Sequence, residues 1–150
     1  MINIRFEQND GSQDIDVVIT ASEKNDEVKA LIKRIEDPLA DTLLVSDAEG
    51  VTTVLNEQSI ISISSGSKKL KIRAGDGVYK LRMSMQEAEK KLNPYAFIRI
   101  SRYEIINLAK VRRFDFSVSG TLRIEMLDGS ETWASRRLIP VIKKRLQGGL

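Results

Sequence analysis

FIRISRYEIINLAKV, residues 97–111, opens as a strand and then breaks its own pattern. Apolar and polar residues alternate through AFIRIS, so Arg99 and Ser101 share one face. From Ser101 to Ala109 the alternation fails, and the stretch reads as irregular with about one helical turn. Arg102 falls where the strand gives way and can project from an edge. Arginine there suits reading a guanine edge through two parallel bonds, while Arg99 fits a structural ion pair better.

Short strands crowd in on both sides. Upstream, TLLVSD and GVTTVL flank a turn at Asp47–Gly50, and SIISIS, KKLKIRA and VYKLRM follow. Gly75-Asp76-Gly77 joins the last two as a hairpin, and Ser84 to Glu87 spells a capping box for a short helix ending near Asn93-Pro94. Downstream, VRRFDFSV and TLRIEML form a hairpin around Ser119-Gly120, and Asp128-Gly129 turns into ETWAS. Ser135 is positioned to cap a last helix with Ile139, Ile142 and Leu146 inward. Pro140 delays its regular start to about Leu138 or Ile139. The class is mainly β with small helices.

Residues 1–40 read as a separate β-β-α segment: Ile2–Phe6, a turn at Asn9–Ser12, Asp14–Thr20, then a helix capped by Ser22 and stopped by Asp37-Pro38. Its helix stripe is Val28, Leu31, Ile32 and Ile35. This unit buries little alone and needs a partner. It holds five Lys and Arg against nine Asp and Glu, a balance of −4, whereas residues 41–150 hold 19 against 12, a balance of +7. A basic segment behind an acidic one is compatible with a polyanion partner and equally with ordinary surface charge.

The chain has no cysteine and no histidine, which excludes disulfides, Cys/His zinc sites, Cys nucleophiles and His bases. Carboxylates sit at turns and helix ends, where capping explains them. No phosphate-binding glycine loop follows a strand. The reading is a protein without enzymatic activity, cofactor, metal or small-molecule substrate. MINIRFEQND lacks the apolar run of a signal peptide, and no stretch is long enough to span a membrane, so the expected location is the cytoplasm.

Three polar clusters remain. Ser64 to Lys69 (SSGSKK) combines hydroxyls, a glycine and two lysines, which suits phosphate or base-edge contact and equally a solvated hairpin turn. Arg99-Ile100-Ser101-Arg102-Tyr103 is the second. Ser135-Arg136-Arg137 is the third: cations oppose the dipole at a helix start, so local stability does not explain them, whereas an anion facing that terminus does. Arg112-Arg113 reads as a solvated strand end more readily than as a phosphate contact, and Phe97, Phe114, Phe116, Tyr95 and Trp133 as packing rather than base-stacking platforms.

In this order the clusters resemble the LytTR DNA-binding domain over about Asp41 to Leu146. Arg99, Ser101-Arg102, Ile105-Ile106, Asn107 and Val111 fill one family pattern. Asp128-Gly129 followed by Ala134 to Arg137 and an apolar helix fills another, and SIISIS with its polar loop a third. The resemblance implies an elongated LytTR-type β fold over residues 41–150 that binds double-stranded DNA, with loops in successive major grooves. It implies contacts at Lys68, Arg102 and Arg137, with Ser67, Lys69, Ser101, Ser135 and Arg136 beside them. Lysine and arginine at the first two places leave the preferred bases open. Some short relatives look like regulators held by a membrane protein, and forty residues cannot form a phospho-acceptor receiver domain. Residues 1–40 then suit homodimerisation or regulatory docking. The competing readings are a non-catalytic protein-interaction module and an RNA-binding protein. Steep salt dependence on duplex DNA separates the first, and a preference for single strands the second.

Overall fold

A computed structural model describes residues 2–11 and 13–148. The chain divides after Pro38 into two compact units. In the first, α1 (Asp26–Glu36) forms as expected. Its cap is Asn25, whose side chain accepts the Val28 amide, rather than Ser22. Asp26 and Glu27 in the first turn and Lys33 and Arg34 in the last complement the helix dipole. The two expected β runs are corrected: described residues before α1 form no strand. Ile4, Phe6, Ile15 and Val18 lie almost wholly in solvent. Alternation marks a strand only when a ladder partner is present.

Among its described residues the second unit holds ten strands in two antiparallel sheets. The larger runs β2-β1-β5-β4-β3-β7-β6, with β1 (Thr42–Ser46), β2 (Thr52–Asn56), β3 (Ile60–Ser64), β4 (Leu70–Ala74), β5 (Gly77–Leu81), β6 (Phe97–Ser101) and β7 (Glu104–Asn107). The smaller runs β10-β9-β8, with β8 (Val111–Asp115), β9 (Arg123–Met126) and β10 (Glu131–Trp133). Strand β7 corrects the irregular reading of 101–109: only Leu108–Lys110 makes the helical turn.

Two cores hold this unit. One face of the large sheet (Leu43, Ile60, Ile63, Ile72, Leu81, Ile105) packs on α2 (Met85–Lys91) through Met85, Ala88 and Leu92. Seven residues are too few for a helix to persist alone. The capping box between Ser84 and Glu87 and this packing hold α2 in place, and each fully buried Leu or Ile contributes roughly 1.5–3 kcal/mol. The opposite face, at its β3-β7-β6 end, packs Ile61, Ile100 and Ile106 on Leu122, on Ile124 and Met126 of the small sheet and on Ile142 of α3 (Ile139–Gly148). Ile61 faces the second core, and a register shift between Ile60 and Ser62 lets Ile60 and Ile63, three residues apart, enter the same core. The 3-10 turn Arg136–Leu138 runs straight into α3, so Pro140 lies in its first turn, where its missing amide costs nothing.

Candidate nucleic-acid interface

The three polar clusters, distant in sequence, meet. The 65–69 loop leaves β3 beside the β6–β7 turn, because β3 pairs with β7 and Ser64 lies opposite Glu104. The Ser65 amide donates to the Tyr103 carbonyl at 2.9 Å. On the other side the Ser135 amide donates to the Ile100 carbonyl at 2.8 Å, which fixes the start of the 136–138 turn against β6. Two backbone bonds thus join loop, strand turn and helix start into one surface.

Within the loop, a Cβ at Gly66 would collide with the carbonyl oxygen of Lys69. Glycine lets the chain fold back on itself there. Ser67 and Lys68 are exposed, and Lys69 is half-buried. In the β6–β7 turn Arg102 is exposed, with its guanidinium 5.8 Å from the Tyr103 ring centroid. The Ser101 hydroxyl accepts the Tyr103 amide at 3.1 Å, so Ser101 shapes the turn. Arg136 and Arg137 are exposed on the last turn before α3. Ser135 departs from expectation: its side chain makes no capping bond, and its backbone does the positioning instead.

Five arginines elsewhere in this unit are committed to acids. Arg112 and Arg113 both pair with Glu125 (3.3 and 2.9 Å), and Arg123 bridges Asp115 and Glu131. Arg73 pairs with Asp128 at 3.3 Å. The Ser130 hydroxyl and amide, with Arg73, hold that carboxyl below the ordinary aspartate value. Arg99 pairs with Glu89 at 3.0 Å and also donates to the Ser101 and Arg102 carbonyls at 3.1 and 3.0 Å. Among the described residues Lys68, Lys69, Arg102, Arg136 and Arg137 have no ion-pair partner. A cluster of unneutralised cations is a surface that attracts a polyanion.

Tyr103 is exposed beside Arg102. One feature at this surface escaped sequence reasoning: Lys143 of α3 lies 5.1 Å from the Phe116 ring centroid, and with Arg136 it lines a shallow cavity of about 450 Å³. The helical spacing from Arg136 to Lys143 could have signalled it. Of the aromatics, Phe97, Phe114 and Phe116 pack on the cores, whereas Trp133 is 56% exposed.

The family model of the LytTr DNA-binding domain matches residues 50–147. The chain belongs to this family. The LytTr domain of a Bacillus cereus protein described as a methyl-accepting/DNA response regulator superposes with a TM-score of 0.66 at 20% identity. The match covers 71% of this chain and 96% of that one, and it shows the same mainly β fold. Two relatives from Staphylococcus aureus carry the name uncharacterized HTH-type transcriptional regulator. That of strain MRSA252 is 29% identical over 97% of either chain, and that of strain MSSA476 is 30% identical over 85% of this chain and 86% of its own. The helix-turn-helix in those names has no counterpart among the described residues of this LytTr chain, because strands separate its three α-helices. None of those helices is long and apolar enough to cross a membrane.

Proposed function

We propose that this LytTr chain is a sequence-specific, non-catalytic transcription regulator of the cytoplasm that binds double-stranded DNA. Lys68, Arg102 and Arg137 read base edges in successive major grooves. Ser67, Lys69, Ser101, Ser135 and Arg136 hold the intervening phosphates or shape the loops that do. The observation that carries this reading is the convergence of the three polar clusters. Two backbone bonds bring Lys68, Lys69, Arg102, Arg136 and Arg137 onto joined loops. None of these five has an acid partner among the described residues, whereas Arg73, Arg99, Arg112, Arg113 and Arg123 do. Site selection followed by Arg137→Ala tests it. The selected duplex should lose about 1–3 kcal/mol of binding while random duplex loses little and the melting curve holds. Lys68→Ala and Arg102→Ala should relax different base positions. Equal losses on both duplexes reduce Arg137 to a phosphate contact. An intact chain that binds no duplex at any salt concentration leaves the protein-interaction module as the reading.

For residues 1–40 we propose homodimerisation, with residues 41–150 as the DNA-binding part. Two β-prone runs without a ladder, and with Ile4, Phe6, Ile15 and Val18 in solvent, are suited to pairing with a second copy. Sedimentation of the intact chain with and without its site decides the matter. A monomer in both conditions makes this segment a docking surface for a regulator, a membrane protein among the candidates.

A further inference from the structure

Among the described residues of the second unit, the second core covers the outer face of the large sheet at its β3-β7-β6 end. Across the rest, register aligns one row of side chains. Ser64 on β3 lies opposite Lys71 on β4, Lys71 opposite Lys80 on β5, Lys80 opposite Ser46 on β1, and Ser46 opposite Thr52 on β2. Residues opposite one another in register point to the same face, and neighbouring strands lie about 4.8 Å apart. The row therefore reads hydroxyl, cation, cation, hydroxyl, hydroxyl over roughly 19 Å. Lys71 and Lys80 are exposed and have no ion-pair partner among the described residues. Like charges directly opposite on two strands oppose sheet formation. The fold gains nothing from this pair, so the explanation lies in what approaches the face.

The row begins beside the joined loops: Ser64 is the last residue before the 65–69 loop, and Lys71 is three residues beyond Lys68. Since one strand residue advances about 3.3 Å, a backbone flanking bases read by Lys68 lies within reach of Lys71. Arg73, the next outward cation on β4, is already neutralised by Asp128. The cations of the row end where the acidic turn begins: Asp47, next to Ser46, accepts the Glu49 and Val51 amides, and Glu49 is exposed.

We infer that Lys71 and Lys80, flanked by the Ser64 and Ser46 hydroxyls, contact the phosphate backbone of the duplex beyond the bases read by the 65–69 loop. This rests on the duplex-binding reading above and adds a contact on the open sheet face that carries no base information. Two phosphate contacts steepen salt dependence without changing sequence preference.

The test is the slope of log affinity against log salt for the intact wild-type chain and for Lys71→Thr/Lys80→Thr, each on a selected and a random duplex. Threonine keeps strand propensity. The double variant should lose about 2 from the magnitude of the slope on both duplexes, at about 0.9 per phosphate contact. Its affinity should then fall roughly tenfold less than that of wild type between about 50 and 200 mM salt. Base preference should not move, and the low-salt melting temperature should hold or rise as the repulsion is removed. An unchanged slope with wild-type duplex binding overturns this inference alone, as does altered base preference or a lower melting temperature. A wild-type chain that binds no duplex overturns the DNA reading with it.

Discussion

Removing Arg99 should weaken DNA binding although Arg99 faces no DNA in the proposed complex. Its guanidinium makes three bonds: to the Ser101 carbonyl (3.1 Å), to the Arg102 carbonyl (3.0 Å) and to Glu89 (3.0 Å). The side chain is only 25% exposed and that of Glu89 is 48% exposed, so solvent screens the ion pair, which contributes about 0.5 kcal/mol. The two bonds to carbonyls from a charged donor are worth about 1–1.5 kcal/mol each at this partial burial. Arg99→Ala should therefore cost about 2.5–3.5 kcal/mol and lower the melting temperature by roughly 10–14 °C for a domain of this size. The freed β6–β7 turn no longer holds Arg102 in place, and affinity for a selected site should fall about tenfold, or about 1.4 kcal/mol. Arg99→Lys is the informative control. An ammonium keeps the Glu89 pair but cannot fork across two carbonyls, so it should recover less than half of both losses. The assays are thermal melting and duplex titration at a temperature where every variant is folded. If Arg99→Ala binds its site as wild type does, the turn needs no clamp and the argument fails. If the Lys variant behaves as wild type does in both assays, guanidinium geometry is irrelevant.

Asn107 is buried, donates to the Ile60 carbonyl at 2.9 Å and accepts the Ala109 amide at 3.0 Å. Asn107→Ala leaves both groups unsatisfied and should cost about 2–4 kcal/mol in denaturant titration, and a loss below about 1 kcal/mol would mean that water replaces the amide. Gly66→Ala should deform the loop around Lys69 and weaken specific duplex binding with little change in melting temperature, and unaltered binding would show that the close approach does not matter. Carboxyls at Asp128 (held down by the Ser130 and Arg73 contacts), Asp115 (by Ser117 and Arg123) and Glu87 (by the Ser84 amide and hydroxyl) lie below their unfolded values. Their stabilisation is therefore complete above the unfolded carboxyl range near pH 4 and is lost as pH falls through the folded values. Asp128→Asn should flatten that acid decline in melting temperature, and an unchanged profile would remove Asp128 from the explanation.

Most strands were legible as β-prone runs between turn signals, and in β4 (LKIRA), where one face is wet, the alternation is intact as well. Strand β7 was not, because Ile105 enters one core and Ile106 the other, so both faces are apolar and the period vanishes. The N-terminal runs erred the other way, with alternation but no partner strand. Residue type and resemblance singled out Lys68, Arg102 and Arg137, and an ion pair was the favoured reading of Arg99. Their convergence was invisible, because the Ser65–Tyr103 and Ser135–Ile100 bonds join backbone atoms more than thirty residues apart. The Lys71–Lys80 pairing is local, by contrast: once Ala74 is set opposite Gly77, the hairpin register dictates it.

These bonds bear on how such a surface could change what it reads. Loop, turn and helix start are fixed to one another by amides and carbonyls, and Arg99 adds a clamp that grips carbonyl oxygens rather than side chains. None of these bonds depends on the identity of the side chain at 68, 102 or 137. Those side chains are exposed and make no ion pair within the fold, so replacing them should shift stability by no more than about 0.5 kcal/mol. Binding specificity is thereby separated from folding at the three positions proposed to contact bases. At Ile100 the two are fused. Its side chain is fully buried in the second core, its carbonyl holds Ser135, and the β6 register shift lies between its neighbours Arg99 and Ser101. A substitution there would move the core, the turn and the helix start together.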